Sequence, residues 1–162
     1  MIKIYSYYIK SWGHWWAIVD ENLEQLISLQ LKDHPAPKIP DHKKLFSPHW
    51  VTELFLCIED YCKGNKINFS TLKVPLKKPG NTLFSQKVYE SLRKIPYGKT
   101  CSYQDLAPTP NSARAVGMLM SKNPFILIYP CHRVIGKNGK LTGFSALGGI
   151  ETKQRMLHLE IS

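Results

Sequence analysis

No stretch constrains this chain more than Pro75-Leu76-Lys77-Lys78-Pro79-Gly80. Two prolines, adjacent lysines and a glycine stop any helix or ladder that reaches them, because proline fixes φ and offers no N–H. The hydrophobic period also changes across this segment. Before it, runs such as Ile2-Lys3-Ile4-Tyr5-Ser6-Tyr7 and Trp15-Trp16-Ala17-Ile18-Val19 favour strands. Beyond it, Phe84, Val88, Leu92 and Ile95 recur at helical spacing. An α+β chain of two units is expected, residues 1–79 and 80–162.

In the first unit the sequence predicts a three-stranded meander over residues 1–31, with Asp20-Glu21-Asn22 as a turn. Trp12, Trp15 and Trp16 are expected in its core or along its edge rather than stacked on bases. Residues 34–40 form a proline-rich connector. Val51, Leu54, Phe55, Ile58 and Cys62 then mark one face of a helix over residues 48–63, stopped by Gly64, and a further strand is expected over 67–74. Cys57 and Cys62 are core residues of that helix on this reading, not zinc ligands. The unit's role is structural.

With 162 residues, 43% of them hydrophobic, the chain can bury a substantial core. Its apolar runs fall short of the roughly 20 residues that cross a bilayer, and its start lacks the apolar core of a secretory signal. A cytoplasmic protein with reduced thiols is expected, since the four cysteines show no CxxC pair. The net charge is +10. Residues 80–162 hold 11 Lys and Arg against 4 Asp and Glu, whereas residues 1–79 hold 11 against 8. The second unit is the expected polyanion binder.

That unit opens with a helix capped by Asn81 or Thr82 and ended by Pro96-Tyr97-Gly98. A short helix capped by Ser102 follows, and after Pro108 and Pro110 a second helix runs to about Lys122, the pattern of a helix-turn-helix. On the second helix Val116, Leu119 and Met120 face inward, while Arg114, Gly117 and Ser121 share another face. That face is small except for one cation. It suits insertion into a narrow groove of nucleic acid better than major-groove reading; the same small residues, Ala113, Ala115 and Gly117, equally suit close helix packing.

Asn123-Pro124 leads into the apolar run Phe125–Tyr129, expected as a buried strand, which delivers Pro130-Cys131-His132-Arg133-Val134. Cysteine reacts as thiolate, a charge that burial disfavours, so a buried reactive thiol needs help. Neighbouring side chains on a strand point to opposite faces. His132 therefore reaches the sulfur only where the backbone turns or a water intervenes, and Pro130 signals such a bend. Gly136-Lys137-Asn138-Gly139 predicts a hairpin returning to Leu141, and the glycines of residues 142–149 allow backbone to line a pocket. A closing helix over 150–159 ends at Glu160, whose carboxylate opposes the helix dipole and needs a partner such as His132.

Five motifs in this order, Pro96-Tyr97-Gly98-Lys99-Thr100 with Ser102-Tyr103-Gln104, Ala113-Arg114-Ala115-Val116-Gly117, Asn123-Pro124, Pro130-Cys131-His132-Arg133-Val134 and Gly143-Phe144-Ser145, resemble the O6-alkylguanine-DNA alkyltransferase family. The match spans residues 81–160. The resemblance implies a ribonuclease-H-like N-terminal domain of supporting function and a mostly helical C-terminal domain. It implies irreversible, single-turnover repair in which Cys131 accepts the alkyl group of O6-alkylguanine in DNA, with O4-alkylthymine left open as a second substrate. Cys131 would be activated through a water by His132, Glu160 would orient that imidazole and Asn123 would brace the site. Arg114 would fill the gap left by a base flipped through the minor groove, the helix of Ala113, Ala115 and Gly117 would lie in that groove, and Tyr103 would rotate the phosphate. Backbone at Cys131, Val134 and Ser145 would read the base, beside Phe144 and Leu141. Double-stranded DNA is the implied partner of a monomer, with no metal, cofactor or membrane.

Three departures from the family pattern stand out: a turn between Ala107 and Ala113 shorter by about three residues, Phe144 where many members have tyrosine, and Leu119 in place of a small residue. Two other functions compete. A lesion-binding module that recruits repair proteins without reacting would lack the cysteine that this chain has. A Cys-His hydrolase would leave the groove-facing helix without a task.

Overall fold

Alternation of buried and exposed residues builds an antiparallel meander of β1 (Ile2–Ile9), β2 (Gly13–Asp20) and β3 (Gln25–Lys32), in that spatial order. The computed structural model describes residues 1–37 and 48–161, so residues 38–40 of the expected connector lie outside the described residues. Trp12, Trp15 and Trp16 are all buried, as core packing requires. Across the sheet lies α1 (His49–Cys62), which buries Val51, Leu54, Phe55, Ile58 and Tyr61. Tyr61 takes the place expected for Cys62, which is only half-buried.

The free edge of β3 ties the two halves together. Leu26 N–H donates to Pro75 O and Lys77 N–H to Leu26 O, while Leu29 N–H donates to Pro124 O and Ile126 N–H to Leu29 O. Residues an odd number apart normally aim their backbone groups at opposite edges. A bulge opposite Ile18 and Val19 leaves Ile27 unpaired, and so turns both Leu26 and Leu29 to the same edge. The apolar core is accordingly continuous, with Trp15, Leu26 and Leu54 in one cluster with Leu92, Val116, Phe125 and Met156.

The strand expected over 67–74 does not form. Asn68 accepts from Ser70 N–H through its side chain at 3.1 Å and closes a 3₁₀ turn, Phe69–Thr71, in its place. Beyond the Pro75–Gly80 segment, α2 (Leu83–Arg93) starts at Thr82, whose hydroxyl accepts from Ser85 N–H while Ser85 Oγ accepts from Thr82 N–H. Next come β4 (Cys101–Ser102), α3 (Ala113–Ser121), β5 (Val134–Ile135) and α4 (Gly149–Ile161).

Two local expectations are corrected here. Ser102 does cap, exchanging hydrogen bonds with Asp105, but only one turn follows. The backbone of Cys101–Ser102 is committed to a parallel pair with Val134–Ile135, and Pro108 blocks extension, so the helix-turn-helix is a capped turn followed by α3. The Gly136–Gly139 turn closes with Gly136 N–H on Lys140 O at 2.8 Å. Its arms do not run on as a hairpin, because β5 pairs with β4.

Candidate active site

The backbone that carries Cys131 is a sequence of turns. Phe125 makes one bridge to Leu29, and then Tyr129 N–H donates back to Phe125 O at 3.0 Å, with Leu127 in the left-handed region at φ 71°. The expected buried strand over 125–129 is therefore absent. Leu127, buried in a conformation that disfavours a branched side chain, is held there by the packing around it. Pro130, at φ −77° and ψ 66°, forms an inverse γ-turn closed by Cys131 N–H on Tyr129 O at 2.8 Å. Cys131–Arg133 then make a 3₁₀ turn. This is the bend that Pro130 signals in the sequence.

Asn123 braces the turn. Its Nδ2 donates to Tyr129 O at 2.7 Å and to Cys131 Sγ at 3.1 Å, and its Oδ1 accepts from Phe125 N–H. Burial pushes the Cys131 thiol up from its ordinary pKa, while the Asn123 hydrogen bond and the positive charge of Lys153 oppose that rise. The thiol is 3% exposed.

Glu160, near the C-terminus of α4, meets His132 as expected, with Nε2 2.7 Å from Oε1. It also receives Arg133 Nε on Oε2 at 2.8 Å and Arg133 Nη2 on Oε1 at 2.9 Å, Tyr61 OH at 3.0 Å and Gly98 N–H at 3.0 Å. Burial by itself would raise the Glu160 pKa; the His132 and Arg133 contacts outweigh it and bring it to about 2. Burial pushes His132 the other way, below its ordinary value, against the pull of Glu160. The ring is thus neutral at neutral pH. Since an ionised carboxylate only accepts, Nε2 carries the hydrogen and Nδ1 keeps its lone pair. That Nδ1 is buried and has no hydrogen-bond partner among the described residues.

A second constellation gathers around α3. Tyr103, Arg114, Gly117 and Ser121 line an open recess of about 520 Å³ together with Thr142, Gly143, Phe144 and Ser145. Arg114 and Ala115 are exposed and Ala113 half-buried on the first turns of the helix. Of the expected pocket residues, Phe144 and Ser145 are here, whereas Cys131, Val134 and half-buried Leu141 are not among the lining residues. Val134 is fully buried in β5, and its N–H is spent on Cys131 O. The N–H groups of Cys131 and Val134 are thus satisfied within the turn.

Sequence reasoning missed three contributors. Arg133 was quoted only as part of a motif, yet its guanidinium grips Glu160 with two nitrogens and Ile95 O with the third, at 2.7 Å. Tyr61 comes from α1, far away in the chain, and carries no local mark. Lys153 is fully buried on α4, donating to Thr142 O at 3.0 Å and Tyr103 OH at 3.3 Å. Its signal was available, since a lysine on the buried side of a closing helix demands acceptors. Gly98 is forced by geometry, at φ 73° with Glu160 O 2.8 Å from where a Cβ would stand.

A family model described as the DNA-binding domain of 6-O-methylguanine DNA methyltransferase matches residues 83–162. The inducible methylated-DNA–protein-cysteine methyltransferase of Bacillus subtilis is 36% identical over 166 residues, covering 99% of this chain and 87% of that one. The Haemophilus influenzae protein of that name is also 36% identical, covering 96% and 85%. Among solved structures, a variant of the Mycobacterium tuberculosis O6-methylguanine methyltransferase superimposes with a TM-score of 0.75 at 32% identity, over 100% of this chain and 94% of that one. The same organism's protein in complex with DNA gives 0.70 at 30% identity, over 99% and 92%.

Proposed function

The chain belongs to the 6-O-methylguanine DNA methyltransferase family, and from that premise we propose that Cys131 is the atom acceptor of a direct DNA repair reaction, taking the alkyl group of O6-alkylguanine once and irreversibly. The observation that carries this reading is the neutral His132, next to Cys131 in the chain, hydrogen-bonded through Nε2 to Glu160 with Nδ1 left unpartnered as a base. Nδ1 takes the thiol proton, through a water, and Asn123 Nδ2 steadies the sulfur anion that results. Sulfur then bonds to the alkyl carbon as the carbon–O6 bond breaks, and guanine leaves with that electron pair and takes up a proton. The thioether product is stable, so each molecule acts once.

DNA approaches through the minor groove, with α3 laid in it through Ala113, Ala115 and Gly117. Arg114 occupies the space of the extruded nucleotide, Tyr103 turns its phosphate, and the base enters the recess walled by Phe144 and Ser145. Cys131 itself is buried and does not line this recess. Residues 1–79 form a ribonuclease-H-like supporting domain and residues 80–162 the reacting domain of a monomeric cytoplasmic protein. No helix among the described residues is long and apolar enough to cross a membrane.

Incubation with a duplex carrying O6-methylguanine, followed by intact mass and peptide mapping, tests the reading. One methyl on Cys131 is expected. Tight binding with unchanged mass would replace transfer by lesion recognition alone. Arg114→Ala is expected to weaken binding to damaged duplex about tenfold while binding to undamaged duplex changes little; equal losses would remove Arg114 from flipping.

A further inference from the structure

The positive charge of this molecule is not where the α3 reading would put it. Residues 63–99 contain nine Lys and Arg and a single acid, Glu90, which is +8 of the chain's +10, whereas α3 carries only Arg114. Five of these cations, Lys66, Lys77, Lys78, Arg93 and Lys94, line three recesses in series between the 66–80 segment and α2. The first, about 660 Å³, is lined by Lys66, Arg93 and Lys94 and ends at Tyr97. The second, about 540 Å³, shares Glu90 and Arg93 with it. The third, about 420 Å³, shares Lys78, Pro79 and Tyr89 with the second and reaches Leu119 and Pro124 at the end of α3. Together they form one groove.

Its cations are presented on a firm frame. Lys77 is fixed by its N–H bond to Leu26 O on the edge of β3, and Pro79 beside Lys78 is buried. Arg93 is drawn into the groove by its bond to Ser70 O at 2.9 Å and its place 5.7 Å over the Tyr129 ring. Lys66, Lys77, Lys78 and Lys94 are exposed, and none has a carboxylate within ion-pair distance among the described residues. Among the described residues only Lys63, at the margin of this segment, is ion-paired, with Glu59 and Asp60. Like charges held this close repel one another, and a regular polyanion laid along them relieves that repulsion by releasing its counterions.

We propose that this groove is a second nucleic-acid contact, a track for a phosphodiester backbone outside the α3 site. The inference rests on the repair reading for the presence of DNA, though not on any role of α3. A phosphate chain suits the groove better than an acidic peptide, since its cations recur along the whole length, and of its tyrosines Tyr89 and Tyr129 are buried while half-buried Tyr97 is covered by Lys66, 6.0 Å from the ring centroid. The contact would hold the protein on undamaged DNA without sequence preference.

The test uses the full chain with Lys66, Lys77, Lys78 and Lys94 all changed to Gln, and duplexes of about 40 and about 12 base pairs titrated at several salt concentrations. On the long undamaged duplex, affinity at low salt is expected to fall about tenfold or more, with the slope of log affinity against log salt reduced by about 2 to 4. Methyl transfer from a short damaged duplex at saturation should keep its rate, and circular dichroism its melting curve. An unchanged slope would leave the lysines as a solubilising surface and overturn the proposal. So would equal losses on both duplexes with slower transfer, which would assign the lysines to the lesion site. Lys10→Gln with Lys32→Gln, compared with Lys77→Gln and Lys78→Gln, controls for diffuse charge; equal effects of the two pairs would overturn it as well. Polyglutamate displaced only from the unaltered chain, with DNA binding equal in both, would point to an acidic protein instead. A wild-type protein that fails to take up methyl defeats the repair reading, while the salt slope on the long duplex still reports on the groove.

Discussion

Two clusters of charge in this molecule obey opposite rules. Around Glu160 the charged groups are buried and almost every polar atom is matched, with five donors converging on one carboxylate. Along the groove beside α2 the lysines are exposed and lack acidic partners among the described residues. Burial explains the difference. An unmatched charge in a low dielectric costs several kcal/mol, so the interior tolerates charge only as a closed network, whereas water solvates surface cations cheaply and leaves them available for a ligand. The single unmatched atom of the inner cluster among the described residues, His132 Nδ1, is the one the proposed chemistry would use as its base.

The comparison can be broken most severely at the sulfur. Cys131→Ser should abolish the mass increase on damaged duplex while binding to that duplex persists, because serine keeps the shape and removes the nucleophile. Next in size is Glu160→Gln, which leaves Arg133 buried without its anion and should lower unfolding free energy by about 3–5 kcal/mol in urea titration. A loss under about 1 kcal/mol would mean that solvent reaches the cluster.

The same cluster predicts an acid response. In the folded chain Glu160 titrates near 2, against an ordinary 4.5, so between those values the unfolded chain binds the extra proton. The stabilisation is complete above about 4.5 and is lost as pH falls towards 2, a contribution of about 3 kcal/mol at 1.4 kcal/mol per pH unit. His132, lowered by burial, acts in the same sense nearer its ordinary 6.5. Stability measured from pH 7 to pH 3 should therefore fall steadily, and Glu160→Gln should flatten the acid limb.

Asn123→Ala should cost about 1–3 kcal/mol, since Tyr129 O and Phe125 N–H lose their buried partner. The pH at which Cys131 reacts with iodoacetamide should rise in that variant, an effect that packing loss alone would not produce. Smallest of all, Lys94→Gln in the groove should change stability by less than about 0.5 kcal/mol, in keeping with an exposed cation that no acid holds.

Much of the site was legible because its chemistry is local. The Pro130–Val134 motif placed the thiol, and the position of Glu160 at a helix C-terminus announced a carboxylate in need of a cation or donor. Asn123 was likewise found, and its three hydrogen bonds stay within eight residues of itself. The 125–129 run misled because apolar composition reports burial and not backbone path: Leu127 at φ 71° turns a stretch that would otherwise extend. Ser102–Ala107 misled for a different reason. Its cap signal was sound, but β4 was claimed by β5, a partner more than 30 residues away that short-range pattern does not contain.

The sequence alone determined the candidate reacting groups, the helical stripes of α1, α2 and α3, and the break at residues 75–80, for each depends on side-chain chemistry or on a period of a few residues. Only the tertiary structure decided that Tyr61 and Arg133 close the network around Glu160, that a bulge in β3 anchors both the 75–77 and 124–126 segments, and that Lys66, Lys77, Lys78 and Lys94 line adjoining recesses. Such partnerships join residues distant in the chain. They arise because buried backbone and charge must find donors and acceptors wherever packing brings them, and that geometry is a property of the folded whole.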